Sequence, residues 1–338
     1  MKIGIIGCGN ISSIYFKNLT SGIWPQLDLI ACADLDLERA KKSADAFSRV
    51  QVMDVQDLIA SSEVELVVNL TIPQAHYPIA LQVIHAGKHH YSEKPMALCA
   101  KESKHLLVEA LKSGVQIGCA PDTFLGAGLQ TAIDAIQSGK IGQVVSVTGQ
   151  MICRGHEGWH PNPEFYYQKG GGPLLDMGPY YLTAMVAMFG KIKNVKAFNR
   201  KTFEQRTITS QAKNGTIIPV EIPTHTTSLL EFESGVIGTI VTSFDAHPNP
   251  SMPKISVHGT KGALEVPDPN TFGGKVLLID ENKEKKTLNL VNSFDENSRG
   301  LGVSDMVNSI EKGVLHQASG ELASHILEVM EKILSEDE

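Results

Sequence analysis

Short apolar runs alternate with amphipathic segments along the first 120 residues. The runs that predict buried strands are Lys2 to Ile6, Leu27 to Ala33, Leu66 to Leu70, His89 to Ser92 and Val115 to Cys119. Segments with helical spacing lie between them, at Ile11 to Leu19, Leu37 to Phe47, Tyr77 to Ala86 and Lys101 to Ser113. Continuous apolar strands separated by helices are typical of a parallel sheet covered on both faces. With right-handed crossovers, the pattern predicts a doubly wound parallel sheet, the Rossmann arrangement.

The pattern changes after Pro121, where longer runs alternate between apolar and polar residues. Predicted strands are Val144 to Cys153, Thr226 to Glu233, Val236 to Phe244 and Ile255 to His258. Predicted helices are Gly128 to Ser138, Val303 to Lys312 and Gly320 to Leu334. This half therefore predicts an α/β domain with a mostly antiparallel open sheet. We expect a dinucleotide-binding domain over residues 1–120 and a domain for substrate binding and oligomerisation over residues 121–338.

Composition and charge narrow the function classes. Hydrophobic residues make up 42% of the 338-residue chain and charged residues 20%, which are ordinary values for a globular protein. The formal net charge is −7, whereas a nucleic-acid-binding protein usually carries a basic surface, so no nucleic-acid partner is expected. No apolar stretch of about 18 residues predicts a membrane span. The five cysteines lack a C-x-x-C spacing, which favours reduced thiols in a cytoplasmic protein.

A glycine-rich turn follows the first predicted strand and opens a helix. The pattern is G-x-G-x-x-S, with Gly7 for the tight turn, Gly9 for the close approach of a pyrophosphate, and Ser12 as the small third residue. Such glycine turns are common, but the strand–turn–helix context is the one that a dinucleotide requires. The turn therefore predicts a nicotinamide dinucleotide site.

An acidic residue, Asp34, ends the second predicted strand. It is placed to accept hydrogen bonds from the adenosine ribose hydroxyls, and its charge would repel the 2′-phosphate of NADP. The sequence therefore favours NAD over NADP. Asp34 could instead cap the helix that follows, although Asp36 is a rival for that cap.

Three further motifs follow in a specific order. They are Thr71-Ile72-Pro73 with His76, then Glu93-Lys94-Pro95, then the glycine-rich segment that leads into Asp176-Met177-Gly178-Pro179-Tyr180. In this order and spacing the chain resembles, over essentially its whole length, the Gfo/Idh/MocA family of oxidoreductases. The family includes glucose–fructose oxidoreductase, inositol dehydrogenases and dimeric dihydrodiol dehydrogenase. The tyrosine that ends the D-x-G-x-Y motif makes the chain similar to the tyrosine subgroup.

The resemblance implies roles for individual residues. Contacts to the cofactor pyrophosphate would come from Gly7, Gly9, Asn10 and Ile11. The nicotinamide half of the cofactor would be bordered by Thr71, Pro73 and His76, and Glu93 would contact the cofactor from the carboxyl end of a strand. Lys94 would reach both the nicotinamide ribose and the substrate, and Tyr180 would be the proton donor or acceptor. The resemblance also implies a homodimer or homotetramer.

The same roles follow from chemistry. Hydride transfer between a carbinol carbon and nicotinamide requires a proton to move at the oxygen. Tyrosine has a reference pKa of about 10, and a nearby ammonium such as that of Lys94 favours the phenolate. Asp176 would hold a substrate hydroxyl or orient Lys94. Each residue also has a structural alternative, because Tyr180 could be core, Asp176 a helix cap and Lys94 a surface side chain.

One segment departs from the family pattern. Many members carry an asparagine and an arginine after the sixth strand, whereas this chain has Asp122 and Thr123 in the stretch Ala120-Pro121-Asp122-Thr123-Phe124. An acid and a hydroxyl suit substrate hydroxyls better than a substrate carboxylate. The sequence therefore predicts a sugar, inositol-like polyol or related substrate and leaves its identity open.

The stretch from His156 to His160 matches H-E-x-x-H, the motif of zinc peptidases. Glycines flank the glutamate and prolines follow, so a loop is predicted instead of a metal-binding helix, and no metal is expected. His156, Trp159 and His160 are candidate substrate contacts, because aromatic faces with polar tips suit a sugar ring. A surface loop is the alternative for this stretch. For the whole chain, the alternative to a sugar or polyol oxidoreductase is a sensor that binds a dinucleotide without turnover.

Overall fold

The computed structural model describes residues 1–335, apart from the side chain of residue 212. The chain divides into two compact units. Unit 1 consists of Met1–Leu125 with Asn297–Leu327, and unit 2 consists of Gly126–Glu296 with the described residues after Leu327.

Unit 1 is built on a parallel sheet of six strands within the described chain, in the order β3-β2-β1-β4-β5-β6. The strands are β1 (Lys2–Ile6), β2 (Asp28–Ala33), β3 (Gln51–Val52), β4 (Leu66–Asn69), β5 (His89–Ser92) and β6 (Ile117–Cys119). The helices between them are α1 (Ser12–Thr20), α2 (Leu37–Ala44), α3 (Val55–Ala60), α4 (Pro73–His85) and α5 (Ala100–Ser113). This strand order is that of dinucleotide-binding sheets. The predicted Rossmann sheet is therefore confirmed.

Burial explains why the apolar pattern predicts these strands so well. Every residue of β4 is buried, as are the last four residues of β1. Strands covered on both faces have no solvent side, so their sequence is a continuous apolar run. The order reverses between β1 and β4, and in such sheets ligands bind at the carboxyl ends of the strands at this switch point.

Unit 2 contains a mixed, mostly antiparallel sheet in the order β16-β15-β14-β13-β7-β12-β11-β8. Its strands are β7 (Val144–Ile152), β8 (Ile192–Arg200), β11 (His225–Phe232), β12 (Ile237–Ser243), β13 (Ile255–Gly259), β14 (Gly262–Val266), β15 (Leu277–Asp280) and β16 (Lys285–Thr287). Strands β9 (Gln205–Thr207) and β10 (Ile217–Pro219) form a separate ribbon. The helices of the second half of the chain are α6 (Ala127–Gln137), α7 (Pro173–Phe189), α8 (Leu301–Lys312) and α9 (Gly320–Ser335). The predicted open, mostly antiparallel sheet is confirmed.

Helix α7 covers one face of this sheet. Gly149 lies on β7 beneath it, and a Cβ at that position would collide with the terminal methyl of Met185 and lie 3.5 Å from Tyr181. Glycine therefore allows α7 to approach the sheet closely. The opposite face carries alternating residues that remain exposed, among them Phe198 and Leu229.

The segment Asn297–Leu327 returns to unit 1, although the sequence pattern assigned residues 121–338 to one domain. Asn18 Nδ2 donates to the carbonyl oxygens of Asn297 and Arg299 at 2.9 Å and 2.8 Å. The backbone N–H of Cys119 donates to Ala318 O at 3.0 Å. These bonds attach the residues just before α8 to α1, and those just before α9 to β6. An apolar pattern along the chain does not predict them.

None of the described helices is long and apolar enough to span a bilayer. The cysteines at positions 8, 32, 99, 119 and 153 are free thiols.

Candidate active site

Two glycines shape the loop after β1. Gly7 has a φ of +98°, and a Cβ there would lie 2.7 Å from the carbonyl carbon of Leu70 and 2.8 Å from the backbone nitrogen of Thr71. No described atom lies within 4 Å of a Cβ built on Gly9, so the backbone is open to a ligand there. Ser12 Oγ donates to Gly9 O at 2.7 Å. Open backbone beside a helix start fits a pyrophosphate group.

Asn10 and Ile11 complete this loop before α1 begins. Asn10 is exposed and Ile11 is half-buried. Their position next to Gly9 is compatible with the pyrophosphate contacts predicted for them, which stay a prediction.

Asp34 lies at the carboxyl end of β2 and faces the glycine loop. Its Oδ2 accepts a hydrogen bond of 2.7 Å from the backbone N–H of Cys8, and its Oδ1 accepts one of 2.8 Å from Asp36 N. The cap of α2 is Asp36, whose side chain accepts from Arg39 N. The cap of α2 is therefore Asp36 and not Asp34. Asp34 keeps further lone pairs for a ribose hydroxyl.

An open cleft of about 810 Å³ lies beside the glycine loop, between α1 and α2. Its lining residues are Cys8, Gly9, Asn10, Ser12, Ser13, Phe16, Arg39, Lys42, Ser43 and Phe47. Arg39 and Lys42 place two cations at this cleft, and the hydroxyls and the Asn10 amide add hydrogen-bonding groups. The cleft therefore has the chemistry to receive a negatively charged or polar group at the adenosine end of a dinucleotide.

The loop after β4 is joined to the E-K-P segment by His76. The ring nitrogen Nε2 lies 3.0 Å from Thr71 O, and Nδ1 lies 2.6 Å from Pro95 O. Thr71 Oγ1 donates to Asn69 Oδ1 at 2.7 Å. His76 is buried and holds two loops together, while Thr71 and Pro73 lie at the surface of the carboxyl edge. Cofactor contact by these residues stays a prediction.

Glu93 and Lys94 follow β5 at the same edge of the sheet. Glu93 Oε1 accepts a hydrogen bond of 2.9 Å from the hydroxyl of Tyr15, and Glu93 Oε2 accepts one of 3.1 Å from the backbone N–H of Lys94. The peptide bond between Lys94 and Pro95 is cis. Both charged side chains are half-buried, so Lys94 is neither core nor a freely solvated surface lysine.

Asp122 and Thr123 are buried in unit 1. Asp122 Oδ2 accepts hydrogen bonds of 3.0 Å from the backbone N–H groups of Gly300 and Gly302, which begin α8. Burial raises the pKa of Asp122 to about 6, and Glu93 adds to that shift, while the bonds to the two glycines oppose it. Asp122 therefore caps a helix. The predicted contact of Asp122 and Thr123 with substrate is not supported by these bonds and stays a prediction.

In unit 2, the glycine-rich segment ends at Gly172, whose φ is +96°, and α7 starts at the next residue. Asp176 lies in the first turn of α7 and its backbone N–H donates to Gly172 O at 3.0 Å. Tyr180 follows four residues later, which places both side chains on the same helical face. Both tyrosines are buried, Tyr181 completely and Tyr180 with 8% of its surface exposed, and burial raises the pKa of Tyr181. Of the two tyrosines, Tyr180 shares its face with Asp176.

His156 approaches Asp176 from the preceding loop. Its Nε2 lies 3.9 Å from Asp176 Oδ2. The imidazole stacks on Tyr166 with ring centroids 3.9 Å apart and meets the edge of Phe244 at 4.5 Å. Burial lowers the pKa of His156, and Asp176 partly opposes that shift, so the ring is neutral at neutral pH. His156 and Asp176 are thus brought together, as the substrate assignment of both requires.

Aromatic side chains form an exposed cluster beside His156, which we call the aromatic platform: Trp159, His160, Phe165 and Tyr166. The Trp159 and His160 rings lie 5.3 Å apart, and those of Phe165 and Tyr166 lie 4.0 Å apart. Trp159 is 65% exposed, and its ring also lies 5.3 Å from that of His156.

The H-E-x-x-H stretch forms an irregular turn and not a metal-binding helix. Glu157 is occupied by the hydroxyl of Tyr167 and by Arg206 Nη1, which lies 2.7 Å from Glu157 Oε1. Arg206 also donates to Asp245. Within residues 1–335, no group of three or more His, Cys, Asp or Glu side chains is arranged to hold a metal ion. Glu157 therefore anchors the loop instead of activating a water molecule.

Sequence reasoning missed Tyr15 and Arg206. Tyr15 contacts a residue 78 positions away, and Arg206 one 49 positions away. A charged residue such as Arg206 in a short strand gives no sign that it is buried. The position of Tyr15 on the helix that follows the glycine loop is the only sequence signal that could have pointed to it.

Two family models match the chain. The model described as "Oxidoreductase family, NAD-binding Rossmann fold" matches residues 1–120, and that of the "GFO/IDH/MocA C-terminal domain" matches residues 129–265. Among curated proteins, D-glucoside 3-dehydrogenase of Escherichia coli (strain K12) is 24% identical over 325 residues, covering 92% of this chain and 88% of that protein.

Solved structures share the fold. An NAD binding oxidoreductase from Klebsiella pneumoniae has a TM-score of 0.85 at 23% identity and covers 99% of this chain and 96% of its own. A levoglucosan dehydrogenase in complex with NADH and L-sorbose has a TM-score of 0.82 at 18% identity with the same coverage, 99% and 96%. These identities support a common fold and nothing finer. The two family models establish that the chain belongs to the Gfo/Idh/MocA family of oxidoreductases, with a Rossmann fold for a nicotinamide cofactor in its N-terminal part.

Proposed function

We propose that the protein is an NAD-dependent dehydrogenase or reductase that acts on a secondary alcohol or ketone of a sugar, inositol or related polyol. The observation that carries the proposal is the position of Asp176 and Tyr180 on one face at the start of α7, with His156 3.9 Å from Asp176. A carboxylate, a phenol and an imidazole at one helix start are suited to binding hydroxyls and moving a proton.

The cofactor would be held by unit 1. Gly7, Gly9, Asn10 and Ile11 supply the open loop for its pyrophosphate, and Asp34 supplies a fixed acceptor for a ribose hydroxyl. The charge of Asp34 favours NAD over NADP. The two cations at the neighbouring cleft, Arg39 and Lys42, act in the opposite direction.

In the oxidation direction, Tyr180 takes the proton from the substrate hydroxyl as the carbinol carbon gives up its hydride. Bound NAD would supply the hydride acceptor. A neighbouring ammonium would favour the ionised phenol, and Lys94 is the residue that the motif order suggests for this role. Asp176 accepts a hydrogen bond from a neighbouring substrate hydroxyl, and neutral His156 offers a second polar group to the same hydroxyl.

The aromatic platform supports a ring-shaped polar substrate. The exposed side chain of Trp159 suits the C–H face of a sugar ring, and His160 offers a hydrogen-bonding tip. Relatives named as a D-glucoside 3-dehydrogenase and as a levoglucosan dehydrogenase bound to L-sorbose point to the same substrate class.

The predicted cytoplasmic location stays a prediction.

The test is nicotinamide absorbance with NAD and NADP across a panel of sugars, glycosides and polyols. We expect turnover by the wild type, and a loss of about 10²- to 10⁴-fold in kcat for Tyr180→Phe, the usual contribution of acid–base catalysis. Tyr77→Phe is the matched control, because that exposed hydroxyl bonds to His105 on the surface of unit 1. Tight NADH binding without turnover would favour the sensor alternative, and full activity of Tyr180→Phe would refute the assignment of this tyrosine.

We also propose that the exposed face of the unit 2 sheet binds a second copy of this chain. Phe198 is 82% exposed on β8, and Leu229 and Ile237 are exposed on β11 and β12. Thr227 lies between Phe198 and Val241 across the strands, so the face mixes apolar groups with hydroxyls. We expect a dimer or tetramer by light scattering, and Phe198→Glu to dissociate it. Ile217→Glu on the β9–β10 ribbon is the control.

A further inference from the structure

Tyr15 lies on α1, the helix that begins directly after the glycine loop, and its side chain is fully buried. Its hydroxyl donates to Glu93 Oε1 at 2.9 Å. The other oxygen of the same carboxylate accepts from the backbone N–H of Lys94 at 3.1 Å. The Glu93 carboxylate thus joins α1, the helix after the glycine loop, to the backbone of Lys94.

The surroundings make Tyr15 a dependable donor. Burial raises the pKa of Tyr15 well above its usual value, and the carboxylates of Glu93 and Asp122 raise it further. The phenol therefore keeps its hydrogen throughout the neutral range. The Asp122 carboxylate also faces Glu93, so the two negative groups repel each other. A hydrogen bond to a charged group in such a site holds its geometry more strongly than one between neutral groups.

We propose that Tyr15 is a positioning residue for Lys94, which it orients through Glu93. The inference rests on the proposed function, because Lys94 is there the group that assists Tyr180. Without the Tyr15 hydroxyl, Glu93 Oε1 loses its donor and the carboxylate is free to turn away from Asp122. The backbone N–H of Lys94 then loses its acceptor, and the main chain that carries the lysine side chain is held less tightly.

The test compares Tyr15→Phe with Tyr91→Phe. Both remove one hydroxyl from a fully buried tyrosine of unit 1, but the Tyr91 hydroxyl has no hydrogen-bond partner within residues 1–335. We expect Tyr15→Phe to lower kcat by about 10- to 100-fold, the range for a lost hydrogen bond to a charged group, with little change in the KM for NAD. Tyr91→Phe should retain the wild-type kcat.

A double-mutant cycle tests the route through Glu93. In a Glu93→Leu background, Tyr15→Phe should lower kcat no further, because both oxygens through which it acts are already absent. Additive losses in the cycle would overturn the proposal. Equal losses in Tyr15→Phe and Tyr91→Phe would also overturn it, since they would reflect loosened packing and not the hydrogen bond.

A readout that does not need turnover separates this inference from the proposed function. Hydrogen exchange of the peptide that contains the Lys94 amide should be about tenfold faster in Tyr15→Phe than in wild type or Tyr91→Phe. If the wild type turns over no substrate but exchange accelerates as expected, the positioning holds and the proposed function fails. Unchanged exchange in Tyr15→Phe would overturn the positioning whatever the activity.

Discussion

Asp34 accepts a hydrogen bond of 2.7 Å from the backbone N–H of Cys8, the residue between Gly7 and Gly9 in the glycine loop. Its second oxygen accepts a bond of 2.8 Å from Asp36 N. The carboxylate is therefore held in one orientation by the main chain on both sides. A fixed negative charge at this position should discriminate between a ribose hydroxyl and a ribose phosphate.

Replacing Asp34 should change the cofactor preference. We expect Asp34→Ser to lower kcat/KM for NAD by about tenfold, the effect of one lost hydrogen bond to a charged group. The same change should raise kcat/KM for NADP, because the repulsion of the phosphate disappears while Arg39 and Lys42 remain at the adjacent cleft. Glu38→Ala removes an exposed acid of the same helix, which pairs with Lys41 outside the cleft, and should leave the NAD-to-NADP ratio unchanged. An NADP activity as low in Asp34→Ser as in wild type would contradict this role.

Alanine substitutions at the two glycines of the loop should affect different properties, stability for Gly7 and NADH binding for Gly9. Gly7→Ala forces a Cβ to within 2.7 Å of Leu70 at a φ of +98°, so the fold itself should lose stability, by about 1–3 kcal/mol from backbone strain alone. Gly9→Ala meets no described atom within 4 Å and should retain the wild-type melting temperature but lose NADH binding. Thermal unfolding and NADH fluorescence titration of both variants check this difference. Equal melting temperatures for the two variants would contradict it.

The first half of the fold could be predicted because its strands are buried on both faces. Such strands are continuous apolar runs, and β4 or β1 stand out in the sequence. The second half was harder. Strand β8 was missed because its exposed face carries the apolar Phe198 beside the polar Lys196. An apolar residue on the solvent side obscures the alternation that predicts a half-buried strand. The strands after β13 are short, and β16 is exposed throughout.

The candidate site was predictable where it depends on motifs and not where it depends on packing. Lys94, Asp176 and Tyr180 follow from short patterns at the ends of elements. The bond from Tyr15 to Glu93 does not, because the two residues are 78 positions apart and only the packing of α1 on the sheet brings them together. The bonds from Asp122 to the start of α8 were not predictable either, because they join residues about 180 positions apart, and its predicted contact with substrate stays a prediction.

Arg206 should be essential for the stability of unit 2. It is buried between the carboxylates of Glu157 and Asp245. Arg206→Met would leave both acids buried without their cation, which typically costs about 3–5 kcal/mol. Denaturant unfolding should show this loss. Arg154→Met removes an exposed arginine near the same loop and should cost far less, and a similar loss in both variants would contradict the importance of burial.

Asp122 should make stability fall as pH rises through the weakly acidic range. Burial raises its folded-state pKa to about 6 from 3.8. Between these values the folded protein binds more protons at this group than the unfolded chain does, so the free energy of unfolding decreases with increasing pH. A difference of about two pKa units corresponds to about 3 kcal/mol, which is lost progressively between pH ~4 and pH ~7.

Asp122→Asn should abolish that dependence. The amide oxygen can still accept from Gly300 N and Gly302 N, but no buried charge forms as pH rises. We therefore expect the Asp122→Asn variant to gain stability over wild type progressively from pH ~4 to ~7, measured by urea unfolding at several pH values. Asp305→Asn is the control on the same helix, because Asp305 also accepts a backbone N–H but does so in an exposed position. Parallel stability curves for Asp122→Asn and wild type would mean that Asp122 is already ionised at low pH and that the main-chain bonds outweigh its burial.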